Sequence, residues 1–125
     1  MTKKIIVIDD SLTVREQVGD VLSTAGYAIV EAVDGLAGAD AIRNNPDASL
    51  AICDLHMPRL GGLALLELLR AEGTSKVPFL MLTTEGAVEL LEKARALGAK
   101  GWMVKPFKPA LLLATVRKLE RAVPA

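Results

Sequence analysis

Short apolar runs recur along this chain, and each is parted from the next by a stretch with helical spacing. The runs are KIIVI at 4–8, AIV at 28–30, LAIC at 50–53, PFLML at 78–82 and a weaker GWMV at 101–104. Strands apolar on both faces belong in a parallel sheet covered by helices on both sides. Between them, Val14, Val18, Val21 and Leu22 share one helical face, as do Leu65, Leu66 and Leu69, and then Leu90, Leu91, Ala94 and Leu97. Gly26, Gly73 and Gly98 stand just past helical patterns, where a left-handed C-terminal residue is wanted. Pro46 stops the second helix, and Pro109 suits the first turn of the last. The spacing predicts strands over 4–9, 27–32, 49–54, 78–82 and 101–104, and helices over 11–25, 35–45, 62–72, 86–97 and 109–122. Strict alternation of this kind predicts an α/β, doubly wound five-stranded parallel sheet with right-handed crossovers.

Those ten elements consume residues 1–125 and predict one domain, which a 51% hydrophobic composition can fill with a core. Net charge is +0, from 15 basic and 15 acidic residues, so nothing favours direct nucleic-acid binding. One cysteine, Cys53, can form no internal disulfide and suits a reducing compartment. The N-terminal apolar run is too short for a signal-peptide core, and no run has the length of a membrane span. The expectation is a soluble cytoplasmic monomer.

In an open parallel sheet, functional groups collect beyond the carboxyl ends of the strands. Here those ends carry Asp9-Asp10, Asp54, Thr83-Thr84 and Lys105-Pro106. Taken singly, Asp10 or Ser11 could cap the first helix, and Thr84 the fourth. Taken together, three carboxylates on one rim repel unless a cation lies among them or one is neutralised, and Lys105 cannot balance three. A hard divalent ion such as Mg²⁺ fits an oxygen-rich site with few protein ligands. Aspartate is also a nucleophile that can form an acyl phosphate. Asp54 is the favoured nucleophile, because it stands alone on a central strand while Asp9 and Asp10 are paired like metal holders.

The stretches VIDDS, DLHMPRLGG, LTTE and GWMVKPF, in that order after strands one, three, four and five, resemble the receiver domains of two-component response regulators. The likeness is greatest to the stand-alone, chemotaxis-type members and covers nearly the whole chain. It implies a flavodoxin-like fold with strand order 2-1-3-4-5. It implies that Asp54 accepts a phosphoryl group from a histidine kinase, and that Asp9, Asp10, Asp54 and the backbone carbonyl of His56 hold Mg²⁺. It further implies that Thr83 binds a phosphoryl oxygen, that Lys105 pairs with the phosphate, and that the Lys105-Pro106 bond is cis. Trp102 takes the place of a switch aromatic that is usually Tyr, Phe or His. The face made by the fourth helix, fifth strand and fifth helix is the usual output surface, for a flagellar switch or another signalling protein. The chemistry would be self-phosphorylation and self-dephosphorylation at Asp54, not turnover of another substrate.

Some positions carry two readings. His56 is a solvated loop residue or, with Glu85, a modulator of the acyl phosphate's lifetime. Thr84 narrows the mouth of the site or caps the fourth helix, the cap being favoured. Cys53 should point away from Asp54 into the core, as inert packing. Leu111-Leu112-Leu113 exceeds what one buried face needs, so part of it should be exposed. At the level of function, a phosphate sink or a non-chemotaxis adaptor is the alternative. A Mg²⁺-dependent aspartyl phosphatase of the haloacid-dehalogenase type would want an acid where His56 stands. A flavodoxin-type nucleotide binder would want a Gly-, Ser- or Thr-rich loop in place of Asp9-Asp10.

Overall fold

The computed structural model describes residues 2–73, 75–84 and 88–121. The elements run β1 (Lys4–Ile8), α1 (Leu12–Thr24), β2 (Ala28–Ala32), α2 (Gly35–Asn44), β3 (Leu50–Asp54), α3 (Gly62–Glu72), β4 (Phe79–Thr83), α4 (Val88–Ala96), β5 (Ala99–Val104) and α5 (Pro109–Leu119). All strand pairs are parallel, in the order β2-β1-β3-β4-β5. The expected doubly wound fold is what forms.

Strand alternation divides the core in two. Ile6, Ile8, Ala51, Cys53, Phe79 and Met81 face one layer, under α2, α3 and α4. Ile5, Val7, Leu50, Ile52, Leu80 and Leu82 face the other, under α1 and α5, with Val18, Leu22, Leu112 and Val116. Both faces are covered, so both parities of each central strand must be apolar. Fully burying each Val, Leu, Ile, Phe or Met side chain among them stabilises the fold by roughly 1.5–3 kcal/mol. Cys53 lies in the first layer, opposite in direction to Asp54, and burial pushes its thiol well above the usual range. Among the described residues, no helix is long and apolar enough to cross a membrane.

Local chemistry sets the element ends. Ser11 caps α1 by accepting from the Val14 N–H. Past α1, Gly26 takes φ +99°, the Tyr27 N–H donates to Leu22 O and the Gly26 N–H to Ser23 O. That paired closure uses carbonyls the helix leaves open, and it favours a residue without Cβ. Pro109 begins α5, as expected.

Most elements differ from the predicted spans by a residue or two at an end, and three of these differences bear on the rim or the edge of the sheet. Strand β1 stops at Ile8, although the Asp9 N–H still bonds Ala32 O at 3.1 Å. Strand β5 begins two positions early, at Ala99, with a register shift against Phe79 and Leu80 that leaves Lys100 exposed. The lysine interrupts the apolar pattern, and the pairing steps over it, from Ala99 opposite Phe79 to Gly101 opposite Leu80. Helix α5 ends at Leu119, because Glu120 turns extended and the Arg121 N–H bonds Ser49 O instead.

Candidate functional site

Register builds the site. Ile5 pairs with Leu50 and Val7 with Ile52, so one more step places Asp9 beside Asp54 on the same face. On β5, Met103 points into that same layer, and Lys105 shares its parity. The Lys105 N–H bonds Thr83 O at 2.7 Å, which ties the end of β5 to the end of β4. Four elements distant in sequence thus deliver Asp9, Asp54, Thr83 and Lys105 to one rim. Asp9, Asp54 and Thr83 are buried, and Asp10 is exposed at the mouth.

Asp9 is held by both oxygens: one accepts from the Ser11 N–H at 2.9 Å, the other from Lys105 Nζ at 2.8 Å. Lys105 Nζ also lies 3.5 Å from Asp54 Oδ2, so a single ammonium bridges two carboxylates. The His56 N–H approaches Asp54 Oδ1 at 3.4 Å. Burial, then the charge of Asp9, push the Asp54 carboxyl above its ordinary value, while Lys105 and the His56 N–H oppose the shift. Such a carboxylate gains strongly from any added positive charge.

One oxygen from each of Asp9, Asp10 and Asp54 lies within 4.8 Å of the others. Three hard oxygen donors and a net negative charge fit a hard divalent cation. The Lys105-Pro106 peptide is cis, as expected. Trp102 is 43% exposed on the edge strand β5, where it pairs with Met81. The His56 and Thr84 side chains are both exposed. Glu85, and residues 86–87 that a Thr84 cap would serve, lie outside the described residues. Leu112 is buried and Leu111 is exposed, dividing the leucine run as expected.

In the loop after β3, Gly61 has an ordinary φ of −73°. The positive φ values fall on Arg59 (54°) and Leu60 (103°). Each such residue costs about 1–3 kcal/mol, so surrounding contacts must impose it. Gly62 serves a different need: a Cβ there would meet Asp54 O at 2.6 Å and Met81 Cε at 2.8 Å. Helix α3 therefore starts directly against the backbone of Asp54.

Two supporting contacts had no sequence signal of this role. Arg15 Nη1 donates to Asp9 O at 2.7 Å. Asp34 caps α2 by accepting from the Ala37 N–H, and its second oxygen lies 3.3 Å from Arg59 Nε. Asp34-Gly35 before a helical pattern signals a cap, but nothing in the sequence pairs it with Arg59.

Comparison with known proteins bears on this geometry. A family model described as response regulator receiver domain matches residues 5–117. The chain is 36% identical over 111 residues to chemotaxis protein CheY1 of Helicobacter pylori, covering 87% of this chain and 90% of that one. It is 39% identical over 122 residues to response regulator MprA of a Mycobacterium species, covering 97% of this chain and 52% of that one. Among solved structures, Vibrio cholerae chemotaxis protein CheY4 superposes with a TM-score of 0.88 at 34% identity, covering 95% of this chain and 99% of that one.

Proposed function

The chain belongs to the response regulator receiver family, and from that premise we propose that Asp54 is its phosphoacceptor and that a histidine kinase is the donor. The observation that carries this reading is the Asp9–Lys105–Asp54 bridge at a buried strand end. It holds one carboxylate rigidly, partly charge-compensated, and flanked by a second acid and an ammonium.

Asp9, Asp10 and Asp54, with the backbone carbonyl of His56, would hold Mg²⁺. When bound, that ion supplies positive charge among the carboxylates and the incoming phosphoryl oxygens. The remaining work belongs to the chain's own residues. An oxygen of Asp54 attacks phosphorus as the P–N bond of the donor phosphohistidine breaks. The bonding pair stays on the imidazole nitrogen, which takes up a proton. Lys105 stands close enough to Asp54 to donate to a phosphoryl oxygen, and the Thr83 hydroxyl serves another. Arg15 and Ser11 keep Asp9 in place. His56 and Glu85 modulate hydrolysis of the product, and Thr84 borders the entrance.

Phosphorylation replaces the single charge of the Asp54 carboxylate with the near-dianion of an acyl phosphate, about one more negative charge at the rim, and biases the strand ends carrying Thr83 and Lys105. Trp102, Val104 and Leu111 are exposed large apolar side chains of β5 and α5, and they form the output face read by a downstream protein. The similarity to chemotaxis proteins favours a chemotaxis pathway or a related one. Residues 1–125 act together as a receiver unit in the cytoplasm.

The test is intact-mass measurement after incubation with acetyl phosphate, with and without Mg²⁺, beside Asp54→Asn. One phosphoryl adduct that requires Mg²⁺ and is absent from the variant is expected. An adduct of the same size on Asp54→Asn would place the acceptor elsewhere and defeat the reading.

A further inference from the structure

The loop joining β3 to α3 is pinned at both ends. At its base, the Gly62 N–H donates to Leu55 O at 3.1 Å. At its tip it lies against the N-terminus of α2. A Cβ on Gly35 would stand 2.0 Å from the Leu60 carbonyl oxygen and 2.8 Å from Leu60 Cβ. Next to that contact, Arg59 Nε lies 3.3 Å from Asp34 Oδ2. The Asp34 side chain is 7% exposed and the Arg59 side chain 69%. The carboxylate, which also caps α2, is the fixed member, and the guanidinium is drawn to it.

The strain falls where this contact is made. Arg59 and Leu60 take the positive φ values, while the adjacent Gly61, which could have taken one freely, does not. The contact with α2 therefore selects the loop conformation over the one the residues would choose alone. The same loop carries His56, whose N–H faces Asp54 Oδ1. Between His56 and Arg59 lie only Met57 and Pro58, and the proline ring fixes one torsion of that short link. Over so short a link, the placement of residues 59–60 bears on the His56 backbone.

We propose that Asp34 and Gly35, acting on Arg59 and Leu60, position the β3–α3 backbone for divalent-cation binding. The inference rests on the functional reading above, in which the His56 carbonyl joins Asp9, Asp10 and Asp54 around the ion. None of the four residues touches the reacting atoms. They are positioning residues, and they make the N-terminus of α2 a support of the site from outside it.

Electrostatics alone makes the opposite forecast for Arg59. Removing a positive charge near a cation site should tighten cation binding. Removing a positioning contact should weaken it, typically by about tenfold or more for groups that orient a metal ligand. The sign of the change separates the two.

Calorimetric titration with Mg²⁺ would be run on the unsubstituted protein and on Arg59→Gln, Arg59→Lys, Gly35→Ala and Asp9→Asn. Arg59→Gln is expected to bind roughly tenfold more weakly, and Arg59→Lys to recover most of the loss. Gly35→Ala should lose at least as much. Acetyl phosphate labelling of Arg59→Gln should be slow at low Mg²⁺ and catch up at saturation. If the unsubstituted protein binds no Mg²⁺, or Asp9→Asn binds it equally well, the metal reading fails and this inference with it. If the unsubstituted protein binds, Asp9→Asn does not, and Arg59→Gln binds as tightly or more so, the inference alone is overturned. Should Gly35→Ala fail to fold, the exposed Arg59 variants still decide.

Discussion

Cys53 and Asp54 are neighbours in sequence and opposites in environment. Alternation sends the thiol into a dry layer and the carboxylate to the sheet rim. Burial and Asp9 raise the Asp54 carboxyl above its ordinary value of 3.8. Native protein therefore holds more protons than unfolded chain in the window just above 3.8, and stability falls as pH rises through it. At neutral pH without metal, the ionised Asp54 is a cost. Asp54→Asn should then be more stable at pH 7 by about 1 kcal/mol, or roughly 4 °C in melting temperature. The gain should vanish below pH 3.8, where both states are protonated. Paired thermal melts at the two pH values check this, and a variant that melts lower at pH 7 would contradict it. The identity of this acid was legible because a greasy strand ends on it. The bridge from Lys105 to both Asp9 and Asp54 was not, since it depends on how far the side chain just past β5 reaches across β4.

Helix packing distinguishes two glycines that the sequence presents alike. Gly19 in α1 has open space where a Cβ would go. Gly38 in α2 would place one 2.9 Å from Ile8 Cγ2, a buried atom of β1. Alanine is favoured over glycine within a helix by about 1 kcal/mol. Gly19→Ala should accordingly stabilise the protein by roughly that amount. At Gly38 overpacking costs about 1–3 kcal/mol and outweighs the gain, so Gly38→Ala should destabilise. Urea unfolding of both variants measures the difference, and equal shifts in midpoint would refute the packing account. Element type and order were readable because apolar spacing repeats with the right period. Ends were less so: at Lys100 and at Glu120, backbone pairing and a turn decide the boundary, and neither has an apolar signature.

Over the whole molecule, the rim stands at the end of the strand that carries the exposed apolar side chains Trp102 and Val104. Divalent-ion binding to the native state alone should raise stability by about 2.7 kcal/mol at a hundredfold excess over the dissociation constant. Melting with Mg²⁺ and after chelation should show that increment, and Asp9→Asn should abolish it. Phosphorylation should also move the indole of Trp102, now 43% exposed, toward the interior. The emission should shift to the blue and acrylamide quenching should fall; an unchanged spectrum in fully phosphorylated protein would remove Trp102 from the switch. By itself the sequence determined the sheet, the alternation of helices, the two-layer core and the strand-end carboxylates. Each of these follows from periodicity and from the rule that parallel strands bury both faces. Only the tertiary structure decided that Lys105 bridges Asp9 and Asp54, that Arg15 braces the backbone of Asp9, and that strain in the loop after Asp54 falls on Arg59 and Leu60 instead of on the glycines beside them. Those facts depend on contacts between elements far apart in the chain, and no local pattern of residue types encodes such a distance.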